Sequence, residues 1–409
     1  MKISILSDLH FGFAHNSELE SDSFENAEEA IEKALESDLI LIAGDIFDSR
    51  LPKTNTWAKA IRILVKPLLK ENSGIKLVSC TKELKEISKR TLRHIPVVAL
   101  HGTHERRGKD EINVIETLEN AGILIHLHCQ TIVFEKDGVR VAVHGMSGVP
   151  ERYAKDVMYE WGPLPLTDSF NIFMLHQSID PFIYSPLEPP SITTSNLPKG
   201  FDIIVDGHLH SSGKEKIGDT LLIFPGSTVV TQLEKKEAEA KKGFFQVDID
   251  KEIKVNFVSL ENNRKFFYEE VKVEGSSREQ IEKAILNILN KDFGKPPIIK
   301  LKIIGKEAEV LEQDLKDLEN KYSDKACIIF TKELETPEIV QKIEFLRNLR
   351  EQKLSVEEIG VHVLKKNLDI LDFEPAFDYE QMFELLSENN VEKVFNILIG
   401  EQKTLKKLM

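Results

Sequence analysis

The chain has 409 residues, of which 41% are hydrophobic and 30% charged, and its formal net charge is −14 at pH 7. At this length we expect two or three domains rather than one core. The net charge excludes a surface that is basic throughout, although a local basic patch would suffice to bind nucleic acid. No apolar run approaches the roughly 20 residues of a membrane span, so we expect no contact with a membrane.

The first residues and the cysteines indicate a cytoplasmic setting. Residues 1–6 lead straight into a predicted strand and lack the basic segment and cleavage site of a signal peptide. Cys80, Cys129 and Cys327 are scattered without the spacing of a metal site. We therefore expect reduced thiols and a cytoplasmic protein.

Residues 1–262 alternate short apolar runs with helical or polar segments, which predicts a sheet flanked by helices. The clearest strands are Lys2–Leu6, Leu39–Ala43, Pro96–Leu100, Arg140–His144, Asn171–Leu175 and Asp202–Val205. Apolar residues at helical spacing predict a helix over Ser23–Leu35. Further strands follow one another closely at Thr220–Phe224, Phe244–Asp248 and Ile253–Val258, so part of the sheet is expected to be antiparallel.

The sequence pattern changes after Asn262. Strands alternate with helices over residues 263–335, which predicts a small α/β domain with strands at Phe266–Val273, Pro297–Ile303 and Ala326–Thr331 and helices at Arg278–Lys291 and Lys306–Lys321. Residues 336–409 are predicted to be wholly helical, with helices at Pro337–Arg350, Ser355–Asn367, Tyr379–Ser387 and Val391–Ile399. The predicted domains are therefore 1–262, 263–335 and 336–409.

Aspartate and histidine residues follow most of the predicted strands of residues 1–262 at the point where each strand ends. These residues are Asp8, His10, Asp45, His104, His176, His208 and His210. In open α/β sheets, ligands bind outside the carboxyl ends of the strands. We therefore expect a polar site at one edge of the sheet.

The residue types at these strand ends are those of a metal site. Mixed carboxylate and imidazole ligands suit Mn²⁺, Fe²⁺ or Zn²⁺ better than Ca²⁺. Six or seven such ligands are too many for one ion, whereas two ions about 3.5–4 Å apart can share a carboxylate, for which Asp45 is the candidate. Such a pair activates water and stabilises phosphate oxygens, so hydrolysis of a phosphoester is the predicted reaction. Asp48 is expected to orient its loop rather than to bind metal.

Five segments carry a resemblance to a known family: DLH, GDIFD, GTHE, LHQS and GHLH. They resemble the motifs of the calcineurin-like metallophosphoesterases. Their order, their spacing and the long C-terminal extension resemble the SbcD-type branch, the meiotic-recombination-eleven nucleases of DNA double-strand-break repair. The resemblance implies an α/β fold: a metallophosphoesterase β-sandwich flanked by helices, then a small α/β capping domain and a helical C-terminal region.

The resemblance also implies a role for each residue of the motifs. Asp8, His10, Asp45 and His210 would hold one metal ion, and Asp45, His176 and His208 the other. His104 would act at the scissile phosphate, stabilising the transition state or protonating the leaving oxygen. Thr103 stands where the family has an asparagine ligand of the second ion.

The activity implied by the resemblance is that of a DNA nuclease with two divalent ions, for which Mn²⁺ is the expected metal. It would be a 3′-to-5′ exonuclease on duplex DNA and an endonuclease on single strands, and it would process DNA ends in double-strand-break repair. The implied partners are an SbcC-type ABC ATPase, bound by residues 336–409, and a second copy of the chain, bound through helices such as Thr54–Leu69. The domain 263–335 would cap the site and help to select the substrate.

A basic stretch adjoins the third motif. Nine Lys or Arg against three acidic residues lie between Lys76 and Lys109, a local balance of +6. We expect Arg106 and Arg107, and also Arg50 and Lys53 after the second motif, to contact the phosphates of DNA.

Two other functions remain open at this point. A small-substrate phosphodiesterase or nucleotidase would use the same metal site, but the extension after residue 262 has no obvious use on a small molecule. A weakly active DNA-binding scaffold subunit would keep the fold, and only Thr103 favours it. Hydrolysis of DNA beside hydrolysis of a small phosphodiester separates the three functions.

Thr103 generates a prediction about metal binding. A threonine hydroxyl is a shorter and weaker donor to a cation than an amide oxygen, so we expect Thr103→Asn to tighten binding of the second metal ion. Isothermal titration of both proteins with Mn²⁺ measures this affinity. Identical stoichiometry, affinity and activity in the two proteins would contradict the prediction.

Overall fold

The computed structural model describes residues 1–108, 111–183, 191–250, 252–274, 277–306, 311–335, 356–370, 378–387, 393–395 and 397. The chain divides into two compact units. The first comprises Met1–Val271, Arg278–Lys302 and Glu312–Thr331, and the second Lys272–Ser277, Ile303–Leu311 and Lys332–Met409. This division differs from the predicted domain boundaries at 262 and 335, which stay predictions.

Two mixed β-sheets form the body of the first unit. In sheet order, the first sheet consists of β15 (Ile253–Ser259), β14 (Gly243–Ile249), β1 (Lys2–Leu6), β2 (Leu39–Ile42), β4 (Val97–Ala99) and β5 (Ile125–His126). The second consists of β12 (Gly213–Ile217), β13 (Thr220–Phe224), β11 (Ile203–Asp206), β8 (Phe170–Leu175), β7 (Val139–Met146), β6 (Gln130–Lys136) and β3 (Lys76–Cys80). The short strands β9 (Ile179–Asp180) and β10 (Ile192–Thr193) pair with each other. The strands predicted in residues 1–262 are all present, with ends that differ by at most two residues.

The sheets pack face to face because alternate side chains of a strand point to opposite faces. In β2, Leu39 and Leu41 are buried in the core between the sheets, whereas Ile40 and Ile42 are buried against the helices outside. The helices that the first unit contributes up to residue 250 are α1 (Glu20–Ala34), α2 (Thr54–Leu64), α3 (Lys89–Leu92), α4 (Val114–Asn120), α5 (Glu151–Trp161) and α6 (Lys235–Glu239). Side chains of α1, α2 and α4 cover the first sheet, and those of α5 cover the second. The predicted β-sandwich flanked by helices is confirmed.

Strands and helices also alternate after residue 262, as predicted. The elements are β16 (Phe266–Lys272), α7 (Ser277–Leu289), β17 (Ile298–Lys306), α8 (Glu312–Tyr322) and β18 (Cys327–Glu335), and the strands form one sheet in the order β16-β17-β18. Within the first unit, Phe266 and Ile298 pack against Leu19 and Val230. The start of this sheet therefore shares a small apolar core with the loops of the sandwich.

In the C-terminal region the structure describes two helices, α9 (Val356–Ile370) and α10 (Tyr379–Ser387). They touch where Gly360 faces the ring of Phe383, because a Cβ atom at this glycine would overlap the ring. The helix predicted at Pro337–Arg350 lies outside the described residues, and the one at Val391–Ile399 lies largely outside them. Across the described part of the chain, none of the helices has both the length and the apolar character needed to cross a bilayer.

The topology brings the predicted site residues to one edge. Strands β1, β2 and β4 are parallel neighbours in the first sheet, and β8 and β11 are parallel neighbours in the second. The carboxyl ends of parallel neighbours lie at the same edge of a sheet. The loops after these strands carry the five motifs.

Candidate metal centre

The backbone at several predicted ligands has a left-handed conformation. The φ angles of Asp8, His10, Asp45 and His208 lie between 47° and 52°. Such angles are uncommon outside glycine, although Asp, Asn and His adopt them more readily than other residues. The chain therefore turns sharply at these positions, directly after the strands end, and this local strain is typical of functional sites.

The first group of clustered donors consists of Asp8, His10 and His210. Asp8 Oδ1 lies 3.7 Å from His10 Nε2 and 3.5 Å from His210 Nε2, and the two Nε2 atoms are 3.2 Å apart. Ligands about 2.0–2.2 Å from a single ion are separated by roughly 3.0–3.5 Å, so these spacings are close to those of a coordination shell.

Hydrogen bonds hold the outer nitrogens of these two imidazoles. His10 Nδ1 lies 3.0 Å from Asp48 Oδ1, and His210 Nδ1 lies 2.6 Å from Thr231 Oγ1. Such partners orient a ligating histidine so that its other nitrogen faces the metal. Asp48 is thus placed to orient the ring of His10, a role that differs from the expected one of orienting its own loop.

The second group consists of Asp8, Asp45 and His176. His176 Nδ1 donates to the carbonyl oxygen of Ala43 at 2.7 Å, and its Nε2 lies 3.2 Å from Asp45 Oδ2. Asp8 is the carboxylate common to both groups, whereas the resemblance gives the shared position to Asp45. Bridging by Asp45 therefore stays a prediction.

Three donor atoms of these groups fit a cation because they make no hydrogen bond to the described residues of the protein. Within the described part of the chain, both carboxylate oxygens of Asp8 and Nε2 of His176 are buried without a hydrogen-bond partner. A buried polar atom without a partner costs about 1–3 kcal/mol, and more when it is charged. A divalent ion bound by oxygen and nitrogen donors removes this cost, so the residues present fit a metal site.

The pKa values reflect the same demand for positive charge. Burial would raise the pKa of Asp8, but the nearby imidazoles of His10 and His210 hold it well below its ordinary value. Burial would lower the pKa of His10, yet its hydrogen bond with Asp48 and the nearby carboxylate of Asp8 raise it to about 10. Burial would also lower the pKa of His176, but the charge of Asp45 raises it to about 10. The site keeps its carboxylates ionised and attracts positive charge.

Comparison with known proteins identifies the family. The calcineurin-like phosphoesterase family matches residues 1–212, which include every predicted metal ligand. The chain belongs to this family. It is also similar to the proteins named DNA double-strand break repair protein Mre11 of Methanopyrus kandleri, with 30% identity over 73% of this chain, and of Sulfolobus acidocaldarius, with 26% identity over 75% of this chain. The double-strand break repair protein mre-11 of Caenorhabditis elegans is 24% identical over 60% of this chain.

These relatives differ in how much of their length is matched. The match spans 66% of the Methanopyrus kandleri protein and 75% of the Sulfolobus acidocaldarius protein. It spans only 39% of the Caenorhabditis elegans protein. The similarity to the animal protein thus concerns less than half of that protein.

The third motif of this phosphoesterase places His104 beside the two groups. Its backbone N–H donates to Asp45 Oδ1 at 2.9 Å, and its Nδ1 donates to the carbonyl oxygen of Asp48 at 3.0 Å. The side chain is 43% exposed and its ring centroid lies 5.0 Å from that of His10. His104 is therefore anchored through one ring nitrogen while the ring faces the solvent side of the site. His10, Asp48 and His104 form a third group of clustered donors.

Thr103 and His208 are the two remaining predicted ligands. Thr103 is partly buried in the turn between Gly102 and His104. The ring centroid of His208 lies 5.5 Å from that of His176, and His208 is in none of the three donor groups found among the described residues. Ligation by Thr103 and by His208 stays a prediction.

Glu105 is a residue of the site whose role the sequence did not indicate. It is fully buried, and its two carboxylate oxygens accept hydrogen bonds from the backbone N–H groups of Phe47, at 2.7 Å, and Gly102, at 2.9 Å. Burial and the charge of Asp45 raise the pKa of Glu105 to about 8. This carboxyl group joins the loops of the second and third motifs. Only its position directly after His104 could have pointed to it.

The predicted DNA contacts lie near the site but differ in their surroundings. Arg106 pairs with Glu151 at 3.6 Å and Arg107 with Glu111 at 3.3 Å. Arg50 and Lys53 are exposed. One further member of the basic stretch, Lys82, is buried against Glu119 at 2.9 Å and adds no charge to the surface.

Close packing around Asp45 yields a test of the site geometry. A Cβ atom at Gly102 would overlap Asp45 Oδ1 and lie 2.5 Å from the Asp45 backbone nitrogen. We expect Gly102→Ala to displace Asp45 and weaken Mn²⁺ binding, measured by isothermal titration, at least tenfold. Gly213→Ala is the matched control, because a Cβ atom there meets no described atom within 4 Å. Equal Mn²⁺ affinity in the two variants would contradict the expected contact.

Proposed function

We propose that the chain is a metal-dependent DNA nuclease that acts at DNA double-strand breaks. The observation that carries the proposal is the cluster of buried carboxylate and imidazole donors at the carboxyl ends of β1, β2, β8 and β11. Two divalent ions are suited to hydrolysis of a phosphodiester. The names of the similar proteins support DNA as the substrate and break repair as the process.

The proposed mechanism assigns separate tasks to the side chains. Asp8, His10 and His210 would hold one ion and Asp45 and His176 the other, with Asp45 as the proposed shared carboxylate. Thr103 and His208 are further candidates for the second ion. When bound, two such ions supply a nucleophile at neutral pH and neutralise phosphate oxygens. His10 and His176 are fixed through Nδ1 by Asp48 and by the Ala43 carbonyl, so that Nε2 of each faces the centre.

His104 would act on the substrate rather than on the metals. Its Nδ1 is held by the Asp48 carbonyl, which leaves Nε2 available to a phosphate oxygen or to the leaving oxygen. Because its backbone N–H binds Asp45, the distance between the imidazole and the metal centre is set by the turn itself. This coupling supports a catalytic role for His104.

Finer features are part of the proposal. We propose Mn²⁺ as the metal, 3′-to-5′ exonuclease activity on duplex DNA and endonuclease activity on single strands. Residues 263–335 would cap the site, residues 336–409 would bind an SbcC-type ABC ATPase, and two copies would pair through Thr54–Leu69. Exposed apolar side chains on and beside α2, Leu51, Ile61 and Leu69, support this pairing surface.

The nuclease proposal predicts cleavage of DNA that depends on His104. With Mn²⁺ we expect hydrolysis of end-labelled duplex DNA and of circular single strands, and its loss on chelation. His104→Ala should lower the rate about 10²–10⁴-fold, as for loss of a general acid, while titration shows retained Mn²⁺ binding. His94→Ala is the control, because this histidine binds the Lys70 carbonyl at the amino-terminal side of β4.

Other outcomes of this assay would support the two other functions. Hydrolysis of bis(4-nitrophenyl) phosphate without cleavage of DNA would indicate a small-substrate phosphodiesterase. Binding of DNA without hydrolysis of either substrate would indicate a scaffold subunit.

The arginines beside the third motif generate a prediction about DNA affinity. We expect the double substitution Arg106→Gln and Arg107→Gln to weaken binding in EDTA and to reduce the slope of log K against log salt by about one to two. Arg140→Gln is the control, because Arg140 pairs with Glu135 at the amino-terminal end of β7. If affinity and slope match the wild type, these arginines do not contact DNA.

A further inference from the structure

We propose that the buried ion pair between Lys242 and Glu237 positions His210, and that it sets how tightly the group of Asp8, His10 and His210 binds its ion. The inference rests on the proposed metal assignment. Lys242 and Glu237 lie outside the five motifs. The metal site that they would influence is divided between the two sheets.

Each metal group contains ligands from both sheets. Asp8 and His10 follow β1 in the first sheet, whereas His176 and His210 follow β8 and β11 in the second. A histidine from the second sheet must therefore be fixed relative to the first. His176 is fixed directly, because its Nδ1 donates to the carbonyl of Ala43, the residue after β2.

His210 reaches the first sheet by a longer route. Its Nδ1 binds the hydroxyl of Thr231, and the backbone N–H of Thr231 donates to Glu237 Oε1 at 3.1 Å. The same carboxylate oxygen accepts a hydrogen bond from Lys242 Nζ at 2.7 Å. Lys242 directly precedes β14, which pairs with β1. The ion pair thus joins the imidazole of His210 to the strand beside the one that carries Asp8 and His10.

The lysine also holds the backbone of His210. Lys242 Nζ donates to the His210 carbonyl at 3.4 Å and to Ser227 Oγ at 2.6 Å, and the backbone N–H of Ser227 donates to that carbonyl at 3.1 Å. His210 is therefore held at its main chain and at its ring by one connected network. Two anchoring points define the direction of Nε2 better than one.

The carboxylate of Glu237 organises the loop that presents Thr231. Besides the N–H of Thr231, it accepts hydrogen bonds from the N–H groups of Gln232 at 2.8 Å and Leu233 at 2.9 Å. Val230 and Leu233 of the same loop pack in the small core with Phe266. The loop is thus held on one side by the carboxylate and on the other by apolar contacts.

The energetics favour a positioning role. The side chains of Lys242 and Glu237 are only 3% and 2% exposed. Burying such a pair costs desolvation energy that the attraction often fails to exceed, so stability alone is a weak reason for its presence. A fully hydrogen-bonded pair does specify a geometry, and a partner that orients a ligating histidine changes metal affinity by about 10–100-fold.

The chain offers a matched control pair. Lys82 and Glu119 are also buried, 2.9 Å apart, and they bind the carbonyl and the N–H of His126. His126 is not a predicted metal ligand. Loss of this pair should affect stability in the same way as loss of Lys242, but not metal binding.

The experiment is isothermal titration of the chelator-stripped full chain with Mn²⁺, with thermal unfolding of each metal-free variant. We expect Lys242→Met and Thr231→Val to weaken one binding event about 10–100-fold and to leave the other unchanged. His210→Ala should abolish the same event, and Lys242→Met added to His210→Ala should have no further effect. Lys82→Met should lower the unfolding temperature and leave both events unchanged.

The results that would overturn the inference are equally defined. Wild-type affinity in folded Lys242→Met and Thr231→Val, or an equal loss in Lys82→Met, would contradict it. If Lys242→Met does not fold, Thr231→Val decides, since it removes one hydroxyl and keeps the backbone bond to Glu237. A wild-type chain that binds no Mn²⁺ would overturn the proposed function itself, which is a distinct outcome.

Discussion

The structure depends on a concentration of negative charge at the junction of two sheets. Asp8 is fully buried and Asp45 is 2% exposed, and the imidazoles around them come from both sheets. Two carboxylates so deep in a protein are tolerable only with positive charge or strong hydrogen bonds nearby. The imidazoles and N–H groups of the surrounding loops stabilise part of this negative charge. The part that they leave unbalanced makes the site suitable for cations.

Two supporting carboxyl groups accept hydrogen bonds from the backbone N–H groups of the loops. The proposed metal ligands are therefore not needed as acceptors for these groups. Glu105 binds the N–H groups of two motif loops, and Glu237 binds three successive N–H groups of a third loop. A buried carboxylate that accepts several amide hydrogen bonds is costly to remove, because each donor would lose its partner. The donor atoms of Asp8 and His176 can therefore stay unpaired at the centre.

The sequence was sufficient to predict the fold and most of the side chains that come together in the donor groups, because both depend on local patterns. Apolar runs define the strands, and the residue after each run is placed by the end of the strand. A tight turn with positive φ at Asp137 and Gly138 joins β6 and β7, and the Asp-Gly pair in the sequence is itself a hairpin signal. The supporting residues could not be found in this way. Nothing near Glu237 or Lys242 in the sequence distinguishes a buried ion pair from two solvated side chains, since their role arises from contacts with a distant loop.

The basic stretch shows the same limit. By composition Lys82 resembles its basic neighbours, but the fold turns it inward to Glu119. The order of strands and helices after residue 262 was correctly predicted. However, the first two strands of this region share a core with Leu19 and Val230. Boundaries drawn from changes in composition do not reveal such long-range packing.

The left-handed backbone at Asp8, His10, Asp45 and His208 has a consequence for the evolution of this fold. At these positions the main chain restricts replacement to a few residue types, chiefly Gly, Asn, Asp and His, whether or not a phosphodiester is ever cut. His176 and His210 are not among the described residues with positive φ, so the backbone does not restrict their replacement in this way. In descendants that have lost catalysis, substitutions should therefore accumulate first at these two histidines, while the aspartates decay more slowly.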